Sequence, residues 1–213
     1  MAETLGGYEL NKVYCEDCLV ALKKLPDRCV DLVLTDPPYG IDYDTNYERF
    51  YRKGVRTGKK WPAVHGDKQP FDPSPFLRLS NNFIFWGANC YSQRLPLGSW
   101  LVWDKRFSNG EAFLSDAEVA WMNKGFGVYI FSETSQGCTF PDGKRVHPTQ
   151  KPVSLMKWCL QKFPSAKTIL DPYAGSGSCL VAAKELGRKF LGFEISPAYT
   201  KICEQRLAQE ILL

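Results

Sequence analysis

The hydrophobic pattern of the chain changes in character near residue 150. Before that position, short apolar runs bounded by turn residues predict strands, and after it apolar runs alternate with segments of helical periodicity. The predicted strands lie at 12–15, 30–35, 83–86, 100–103, 117–121, 128–131, 167–170 and 190–193. The predicted helices lie at 19–22, 153–162, 178–186 and 197–208. Strands that alternate with helices at this spacing are typical of βαβ units. We therefore predict an α/β fold on a mostly parallel sheet, with the middle strands as an antiparallel edge.

Composition and charge describe an ordinary globular protein and exclude several classes. The 213 residues are 44% hydrophobic and 23% charged, which excludes disorder and suffices for one buried core, so we predict a single domain over 1–213. The formal net charge of +4 is too small to indicate or to exclude nucleic acid as a partner. No apolar run could span a bilayer, and the N-terminus lacks a signal-peptide pattern. Eight cysteines without such a signal favour a reducing compartment, so we expect a cytoplasmic location.

A glycine-rich segment that follows a predicted strand and opens a predicted helix is the first candidate site. It runs Asp171-Pro172-Tyr173-Ala174-Gly175-Ser176-Gly177-Ser178. Glycines let the backbone approach a ligand closely, and a helix N-terminus offers free N–H groups. Glu194 ends the next strand 23 residues after Asp171, close to the spacing at which an acid reaches ribose hydroxyls in nucleotide-binding βαβ units. We therefore predict a nucleoside site, although a plain glycine-rich turn has the same local pattern.

The second candidate site is Asp36-Pro37-Pro38-Tyr39, at the carboxyl end of the strand predicted at 30–35. Open α/β sheets place their sites at this end, although a surface Asp-Pro turn has a similar pattern. An exocyclic amine of a nucleobase is a poor nucleophile because its lone pair is delocalised into the ring. A carboxylate and a backbone carbonyl that accept its two N–H bonds would hold that amine and favour a more tetrahedral nitrogen. The tyrosine ring would supply a stacking face for an unstacked base.

Together these two segments resemble those of the S-adenosylmethionine-dependent DNA amino-methyltransferases. A third segment, His147-Pro148-Thr149-Gln150-Lys151-Pro152, is similar to the motif that leads into the cofactor half of the same family. The Asp-Pro-Pro-Tyr motif precedes the glycine-rich loop, as in the circularly permuted group called β. Enzymes that act on rRNA or on protein glutamine with a related Asn-Pro-Pro-Tyr motif typically have the opposite order. The resemblance covers nearly the whole chain and implies a Rossmann-like methyltransferase fold with a mixed seven-stranded sheet and flanking helices.

The resemblance also implies roles for individual residues. The implied catalytic residues are Asp36, Pro37, Pro38 and Tyr39, and an aspartate at the first position favours adenine N6 over cytosine N4. The implied cofactor-binding residues are Asp17, Cys18, Asp36, Thr149, Gln150, Lys151, Asp171, Pro172, Tyr173, Ala174, Gly175, Ser176, Gly177, Ser178 and Glu194. Among them Glu194 would bind the ribose, and Thr149, Gln150 and Lys151 would close over the carboxylate end of the cofactor. Lys151 is equally compatible with a solvated lysine, and His147 with a capping or packing histidine.

A basic stretch lies within the aperiodic segment 41–75, which we interpret as a long loop or lid. Between residues 49 and 60 the stretch carries six cations, two aromatics and no acid. Most charge runs are solvated faces, but its place beside the Asp-Pro-Pro-Tyr motif favours contact with DNA phosphates. The candidate DNA-binding residues are Arg49, Arg52, Lys53, Arg56, Lys59 and Lys60. Larger relatives insert a target-recognition domain, for which only 104–146 remains here, and part of that range should be sheet.

Other chemistries have no candidate residues. Cys15 and Cys18 show a C-x2-C spacing, but no second Cys or His pair follows at zinc-finger distance, so we predict no metal. No Pro-Cys dipeptide supplies the nucleophile of C5-cytosine methylation. We therefore expect methyl transfer to the N6 amine of a flipped adenine in double-stranded DNA. The alternatives are cytosine-N4 methylation, an RNA substrate and a non-catalytic DNA-binding subunit. A homodimer is implied by the resemblance, and a solitary or phage-type enzyme is expected because no restriction nuclease is encoded here.

Overall fold

The computed structural model describes residues 3–46, 51–52, 55–56, 60–106, 115–133, 139–140 and 143–209. The strands of its main sheet are β1 (Lys12–Cys15), β2 (Leu32–Thr35), β3 (Phe83–Trp86), β4 (Ser99–Asp104), β5 (Ala117–Met122), β6 (Val128–Ser132), β7 (Thr168–Asp171) and β8 (Lys189–Glu194). The α-helices are α1 (Cys18–Ala21), α2 (Val153–Gln161), α3 (Ser178–Glu185) and α4 (Pro197–Ala208). The two-residue hairpins are Thr4–Leu5 with Tyr8–Glu9, Tyr51–Arg52 with Val55–Arg56, and Thr139–Phe140 with Gly143–Lys144. Every strand and helix predicted from the hydrophobic pattern is present, with ends that differ by at most two residues.

The main sheet is mixed, but it is less antiparallel than the sequence indicates. Its strand order is β6-β4-β5-β3-β2-β7-β8-β1, and within the described residues it has eight strands rather than seven. Only β5 runs against its neighbours in this sheet. The expected antiparallel edge is confirmed for β5, which pairs antiparallel with β3 and β4. It is wrong for the outermost strand, because β6 forms no hairpin with β5 but crosses over to pair in parallel with β4. Ser99 holds that crossing, since its Oγ donates to the carbonyl of Lys124 and accepts from the backbone N–H of Gly127.

Burial follows the position of each strand in the sheet. β2 and β3 are buried at every residue, as expected for central strands that are covered on both faces. β4 lies next to the edge and alternates buried with partly exposed residues. On one face α2 and α3 complete the core with fully buried Leu155, Leu160 and Leu180. The other face is covered by α1 and by an aromatic cluster that contains Phe71 and Phe76. No helix among the described residues is long and apolar enough to cross a membrane.

Part of the segment 41–75 is attached to the body of the protein. Phe71 is 5% exposed, and Asp67 is 4% exposed. The carboxylate of Asp67 accepts hydrogen bonds from the backbone N–H groups of Gly40 and Tyr43, at 2.8 and 2.7 Å. The turn that follows the Asp-Pro-Pro-Tyr motif is therefore fixed by a buried acid some 25 residues further along the chain.

Candidate active site

The carboxyl ends of β2 and β7 bring the two candidate motifs together. These strands are parallel neighbours, with Leu170 opposite Val33. Asp36 follows β2 next to the point where Asp171 ends β7. The hydroxyl of Thr35 donates a hydrogen bond of 2.7 Å to Oδ1 of Asp171 and joins the two strand ends. The open end of the sheet, where α/β proteins bind ligands, therefore presents both acids side by side.

Asp171 is almost inaccessible to solvent, with 3% of its surface exposed. Its Oδ1 also accepts a hydrogen bond of 3.2 Å from the backbone N–H of Tyr173. Burial raises the pKa of this carboxyl to about 7, against the lowering effect of its donors Thr35 and Tyr173. Asp171 thus braces the start of the glycine-rich loop and titrates near neutral pH.

The backbone conformation of the glycine-rich loop explains why two of its positions are occupied by glycine. Gly175 and Gly177 have φ angles of +53° and +85°, in the left-handed region that side chains rarely adopt. A Cβ at position 177 would also lie 2.3 Å from Sγ of Cys203. Because α4 packs this closely on the loop, Gly177 cannot be replaced without a shift of backbone or helix.

Two charged side chains hold the same loop in place. The carboxylate of Glu194 accepts hydrogen bonds of 2.8 Å from the backbone N–H groups of Gly175 and Ser196. Arg206 of α4 donates a hydrogen bond of 2.8 Å to the carbonyl of Ser176. Burial raises the pKa of Glu194, against the effect of its backbone donors. A carboxylate has about four acceptor positions, so Glu194 keeps acceptors for hydroxyl groups of a ligand.

Asp17 and Cys18 lie at the start of α1, near the end of the strand that neighbours β8. β1 and β8 are parallel, with Cys15 opposite Glu194. Oδ1 of Asp17 accepts a hydrogen bond of 2.8 Å from the N–H of Leu19 and caps the helix. Cys18 is 5% exposed, and burial raises the pKa of its thiol to about 12. In this structure Asp17 caps α1 and Cys18 packs in the core, and their role toward a cofactor stays a prediction.

The segment 147–150 is held by local contacts. Gln150 is 6% exposed, and its Oε1 accepts a hydrogen bond of 2.8 Å from the N–H of Val146. The His147 ring packs edge-on against Tyr199, with 4.2 Å between the ring centroids, and its Nδ1 lies 3.2 Å from Oγ1 of Thr149. Burial lowers the pKa of His147 to about 3, so the ring is uncharged at neutral pH. His147 is therefore a packing residue in this structure.

Lys151 is a buried cation beside the Asp-Pro-Pro-Tyr motif. Its side chain is 2% exposed, so the interpretation as a solvated lysine is wrong. Its Nζ donates to Oδ2 of Asp36 at 2.5 Å and to the hydroxyl of Tyr39 at 3.1 Å. A second carboxylate, that of Glu118 on β5, lies 3.0 Å from the same ammonium, and Lys105 pairs with Glu118 at 2.9 Å. Lys151 therefore contacts the carboxylate of Asp36 directly.

Tyr39 lies between Asp36 and the backbone that follows β3. Its hydroxyl donates a hydrogen bond of 2.6 Å to Oδ1 of Asp36. Its ring covers Gly87, where a Cβ would lie 1.9 Å from Cε1 of the tyrosine. Burial raises the pKa of Asp36, against the lowering effect of the Lys151 ammonium. The two oxygens of the Asp36 carboxylate are thus each held by one neighbouring donor.

One cleft joins the three motifs. It is lined by Asp36, by the segment that contains Thr149, Gln150 and Lys151, and by the glycine-rich loop from Asp171 to Ser178. The structure thus brings together residues of all three motifs that the sequence indicates. The predicted site residues that are not part of the lining are Asp17, Cys18, Pro37, Pro38, Tyr39, Pro172, Gly177 and Glu194. Within the parts of the chain that are described, no three His, Cys, Asp or Glu side chains are grouped as metal ligands.

The candidate DNA-binding residues are only partly described. Arg49, Lys53 and Lys59 lie outside the described residues. Arg52 and Arg56 belong to the hairpin Tyr51–Arg52 with Val55–Arg56, of which the structure gives the backbone. Lys60 is exposed and forms an isolated antiparallel bridge with Asn46.

Sequence reasoning missed Glu118, Lys105 and Asp67. Glu118 is an acid within an otherwise apolar strand, which is a signal that could have marked it for attention. Nothing local distinguishes Asp67 from the other acids of its long segment. Their partners lie far away in the chain, so only the folded structure identifies them.

Comparison with known proteins supports what the geometry indicates. Residues 53–205 match the family model N6_N4_Mtase, DNA methylase. The type II methyltransferase M.HinfI of Haemophilus influenzae is 26% identical over 98% of this chain and 71% of its own length. The structure resembles the M1.HpyAVI–SAM complex with a TM-score of 0.58 and 19% identity, over 93% of this chain and 99% of that one. It also resembles the PvuII DNA methyltransferase (cytosine-N4-specific) with a TM-score of 0.60 and 14% identity, over 94% and 87% of the two chains.

The chain belongs to the DNA methylase family whose members act on exocyclic amines, since the family model matches well over half of it. The predicted Rossmann-like methyltransferase fold is confirmed by the sheet and by the solved structures it resembles. S-adenosylmethionine is the methyl donor of this family, which confirms the predicted cofactor. The protein is therefore a DNA amino-methyltransferase.

Proposed function

We propose that this chain transfers a methyl group from S-adenosylmethionine to the N6 amine of an adenine flipped out of double-stranded DNA. The observation that carries the proposal is the partly buried carboxylate of Asp36 at the cleft that the glycine-rich loop also lines. An ionised aspartate accepts a hydrogen bond from an amine and stabilises the positive charge that develops on its nitrogen. The adjoining Pro37 carbonyl can accept the second N–H. The alternative, cytosine N4, presents a similar exocyclic amine.

The residues around the cleft suit the proposed cofactor. Glu194 has acceptor positions for ribose hydroxyls, and the glycines allow a ligand to approach the backbone at the start of α3. Ala174, Gly175, Ser176 and Ser178 would line its methionine portion, and Thr149 and Gln150 would close over it from the opposite side. When bound, the cofactor supplies a methyl group on a sulfonium centre that a nucleophile can attack in line.

Asp36, Pro37 and Tyr39 would prepare the nucleophile. Hydrogen bonds from the amine to the Asp36 carboxylate and to the Pro37 carbonyl would hold the nitrogen in place and localise its lone pair. The Tyr39 ring, supported on Gly87, would stack on the flipped base, whose extraction from the duplex costs a few kcal/mol. Positioning and electrostatics would supply most of the rate, with no covalent intermediate on the protein.

The methylated nitrogen must lose one proton after transfer. Asp36 is the carboxylate that contacts the amine in this scheme, and burial raises its pKa, which makes it a better proton acceptor than an exposed aspartate. We assign the proton to Asp36, from which it passes to solvent when the product leaves.

The DNA contacts are proposed from charge and position. We propose that the basic stretch from Arg49 to Lys60 tracks phosphates beside the flipped base, and that 104–146 forms a reduced target-recognition region within a single domain. The protein would act in the cytoplasm, where DNA is accessible, and the homodimer stays a prediction.

The product of the reaction tests the proposal. The protein is incubated with S-adenosylmethionine and unmethylated DNA, the DNA is digested to nucleosides, and these are analysed by mass spectrometry. N6-methyladenine is the expected product. N4-methylcytosine as the product would be compatible with the fold, the cofactor and the catalytic motif but would overturn the assigned base. A protein that methylates RNA but not DNA under the same conditions would overturn the DNA substrate.

A further inference from the structure

A chain of alternating charges extends from the catalytic carboxylate. Nζ of Lys151 lies 2.5 Å from Oδ2 of Asp36 and 3.0 Å from Oε2 of Glu118. Oε1 of Glu118 in turn lies 2.9 Å from Nζ of Lys105. The side chain of Lys151 is 2% exposed, and those of Lys105 and Glu118 are 16% and 30% exposed. The charges of the two carboxylates and the two ammonium groups cancel, and Lys151 is the most deeply buried of the four residues.

The antiparallel direction of β5 places Glu118 in this series of charges. Because β5 runs against its neighbours, its first residues lie at the edge where the parallel strands end. Glu118 lies opposite Trp103, and two residues later Ala120 lies opposite Trp86, so these side chains share one face of the sheet. The ammonium of Lys151 lies 5.5 Å from the centre of the Trp86 ring on that face. A parallel strand here would carry its second residue at the opposite edge of the sheet.

Stability alone gives a weak reason for such a chain of charges. Removal of charges from water is costly, and well-packed apolar residues often replace a buried ion pair without loss of stability. The chain instead ends on the carboxylate that the reaction needs. A buried aspartate without a cation beside it tends to take up a proton, and a protonated acid donates a hydrogen bond where an acceptor is required. Without Glu118 the ammonium would keep only Asp36 and the Tyr39 hydroxyl, both of the same motif, whereas Glu118 also ties it to β5.

We propose that Glu118 is a positioning residue for methyl transfer, which acts by holding the Lys151 ammonium where it keeps Asp36 ionised and oriented toward the target amine. Glu118 itself does not touch the substrate. The inference rests on the proposed function, because it assigns Asp36 to the amine. Lys105 has a supporting part, since it balances the second oxygen of Glu118.

Loss of the Glu118 charge has a predictable effect on the titration of Lys151. Burial lowers the pKa of Lys151, but the carboxylates of Asp36 and Glu118 outweigh burial and raise it above its usual value. Without the Glu118 charge, part of the raising effect disappears and the ammonium loses its proton at a lower pH. The titratable groups that act on or respond to Lys151 are Asp36, Tyr39, Glu118, His147 and Cys159. The Glu118 carboxylate also raises the pKa of Asp36 and of Tyr39, so both of these fall in a Glu118→Gln variant. The alkaline limb then reports the loss of the Glu118 charge on Lys151 together with Tyr39.

The test compares Glu118→Gln and Glu118→Asp with a matched control, Glu185→Gln. Glu185 is 29% exposed and paired with Lys157 on the surface of α2 and α3, so the control removes a carboxylate of equal exposure. Rates are measured with DNA and S-adenosylmethionine as a function of pH, and cofactor affinity and thermal stability are measured separately. Wild-type activity, with its product identified, is established first, because its absence would contradict the proposed function rather than this inference.

We expect Glu118→Gln to lower kcat by about ten- to a hundredfold, as a small misplacement of a catalytic group does, with cofactor affinity changed by less than about twofold. The alkaline limb of its activity should move to lower pH. Glu118→Asp should keep the wild-type alkaline limb, because it keeps the charge, while kcat falls because the shorter side chain cannot reach both lysines. Glu185→Gln should match the wild type in both respects.

Two results would overturn the inference. One is a Glu118→Gln enzyme with wild-type kcat and an unshifted alkaline limb. The other is a loss of kcat that is matched by the loss of cofactor affinity or is shared by Glu185→Gln, since either would indicate a general structural effect. If Glu118→Gln does not fold, Glu118→Asp decides the matter, and wild-type kcat in that variant would contradict the positioning role.

Discussion

The ammonium of Lys151 lies 2.5 Å from Oδ2 of Asp36, although 115 residues separate the two in the chain. Asp36 follows β2, and Lys151 lies two residues before the start of α2, which packs on one face of the same sheet. The contact thus links the catalytic motif to the segment that the sequence assigns to the cofactor. We therefore expect this lysine to influence Asp36 rather than the cofactor alone.

Replacement of Lys151 with methionine distinguishes a role of this lysine toward Asp36 from a role toward the cofactor. Lys151→Met leaves Asp36 and Glu118 without their shared cation, so we expect stability to fall by about 3–5 kcal/mol. Asp36 should then hold its proton to a higher pH, because the lysine lowers its pKa in the wild type. Activity should therefore be low at neutral pH and recover in part as pH rises. The measurement is the steady-state rate as a function of pH, together with titrations of cofactor affinity.

Lys157→Met is the control for this variant, because Lys157 is a partly exposed lysine of α2 paired with Glu185. It should keep wild-type kcat and cofactor affinity. If Lys151→Met instead weakens cofactor binding and leaves kcat unchanged, the lysine acts on the cofactor, as the sequence motif indicates.

Gly87 tests the support of the Tyr39 ring. A Cβ at this position would lie 1.9 Å from Cε1 of Tyr39, so Gly87→Ala must displace the ring that we assign to stacking. The φ of +69° adds a strain of about 1 kcal/mol. We expect a reduced kcat and a weaker fluorescence response of a 2-aminopurine placed at the target base.

Gly187→Ala separates strain from displacement. Gly187 has a φ of +66°, and nothing lies within 4 Å of a Cβ built there, so this variant carries similar strain without a collision. Gly187→Ala should lose stability and keep its activity. Equal losses of activity in the two alanine variants would show that the ring of Tyr39 is not the cause.

Asp171 makes the stability of the protein depend on pH. Its pKa is raised by burial to about 7, whereas an unfolded aspartate titrates near about 3.9. The folded state therefore binds more protons between these values, and this contribution to stability is lost as pH rises toward 7. Asp171→Asn carries no charge, and its Oδ1 can accept both hydrogen bonds that Oδ1 of the aspartate accepts.

We expect the melting temperature of Asp171→Asn to rise relative to that of the wild type between pH 5 and pH 8. The difference in unfolding free energy should change by something on the order of 3 kcal/mol over this range. Calorimetric scans at several pH values measure it. Two parallel stability curves would contradict the raised pKa.

The hydrophobic pattern predicts the individual strands and helices well, because β2 and β3 are apolar throughout and the late helices have clear periodicity. It does not predict the order of the outer strands. The short connection between β5 and β6 has the turn residues of a hairpin, yet Ser99 stabilises a crossing over β4. Local sequence cannot distinguish these outcomes, since the choice depends on a partner 25 residues away.

The candidate site, like the fold, is predicted from the sequence only in its local parts. The motifs give Asp36, Tyr39 and the glycine-rich loop because their chemistry is local and their spacing specific. The contacts of Lys151 with Glu118, and of Asp67 with the turn after Tyr39, are not given, because they join segments that only the fold brings together.

Asp36→Ala, assayed beside the wild type with unmethylated DNA, tests the catalytic assignment most directly. Nucleoside mass spectrometry should find N6-methyladenine with the wild type and none with the variant, while cofactor affinity stays within about twofold, since Asp36 is assigned to the amine. A variant that methylates DNA at the wild-type rate would contradict the role of Asp36 and with it the proposed mechanism.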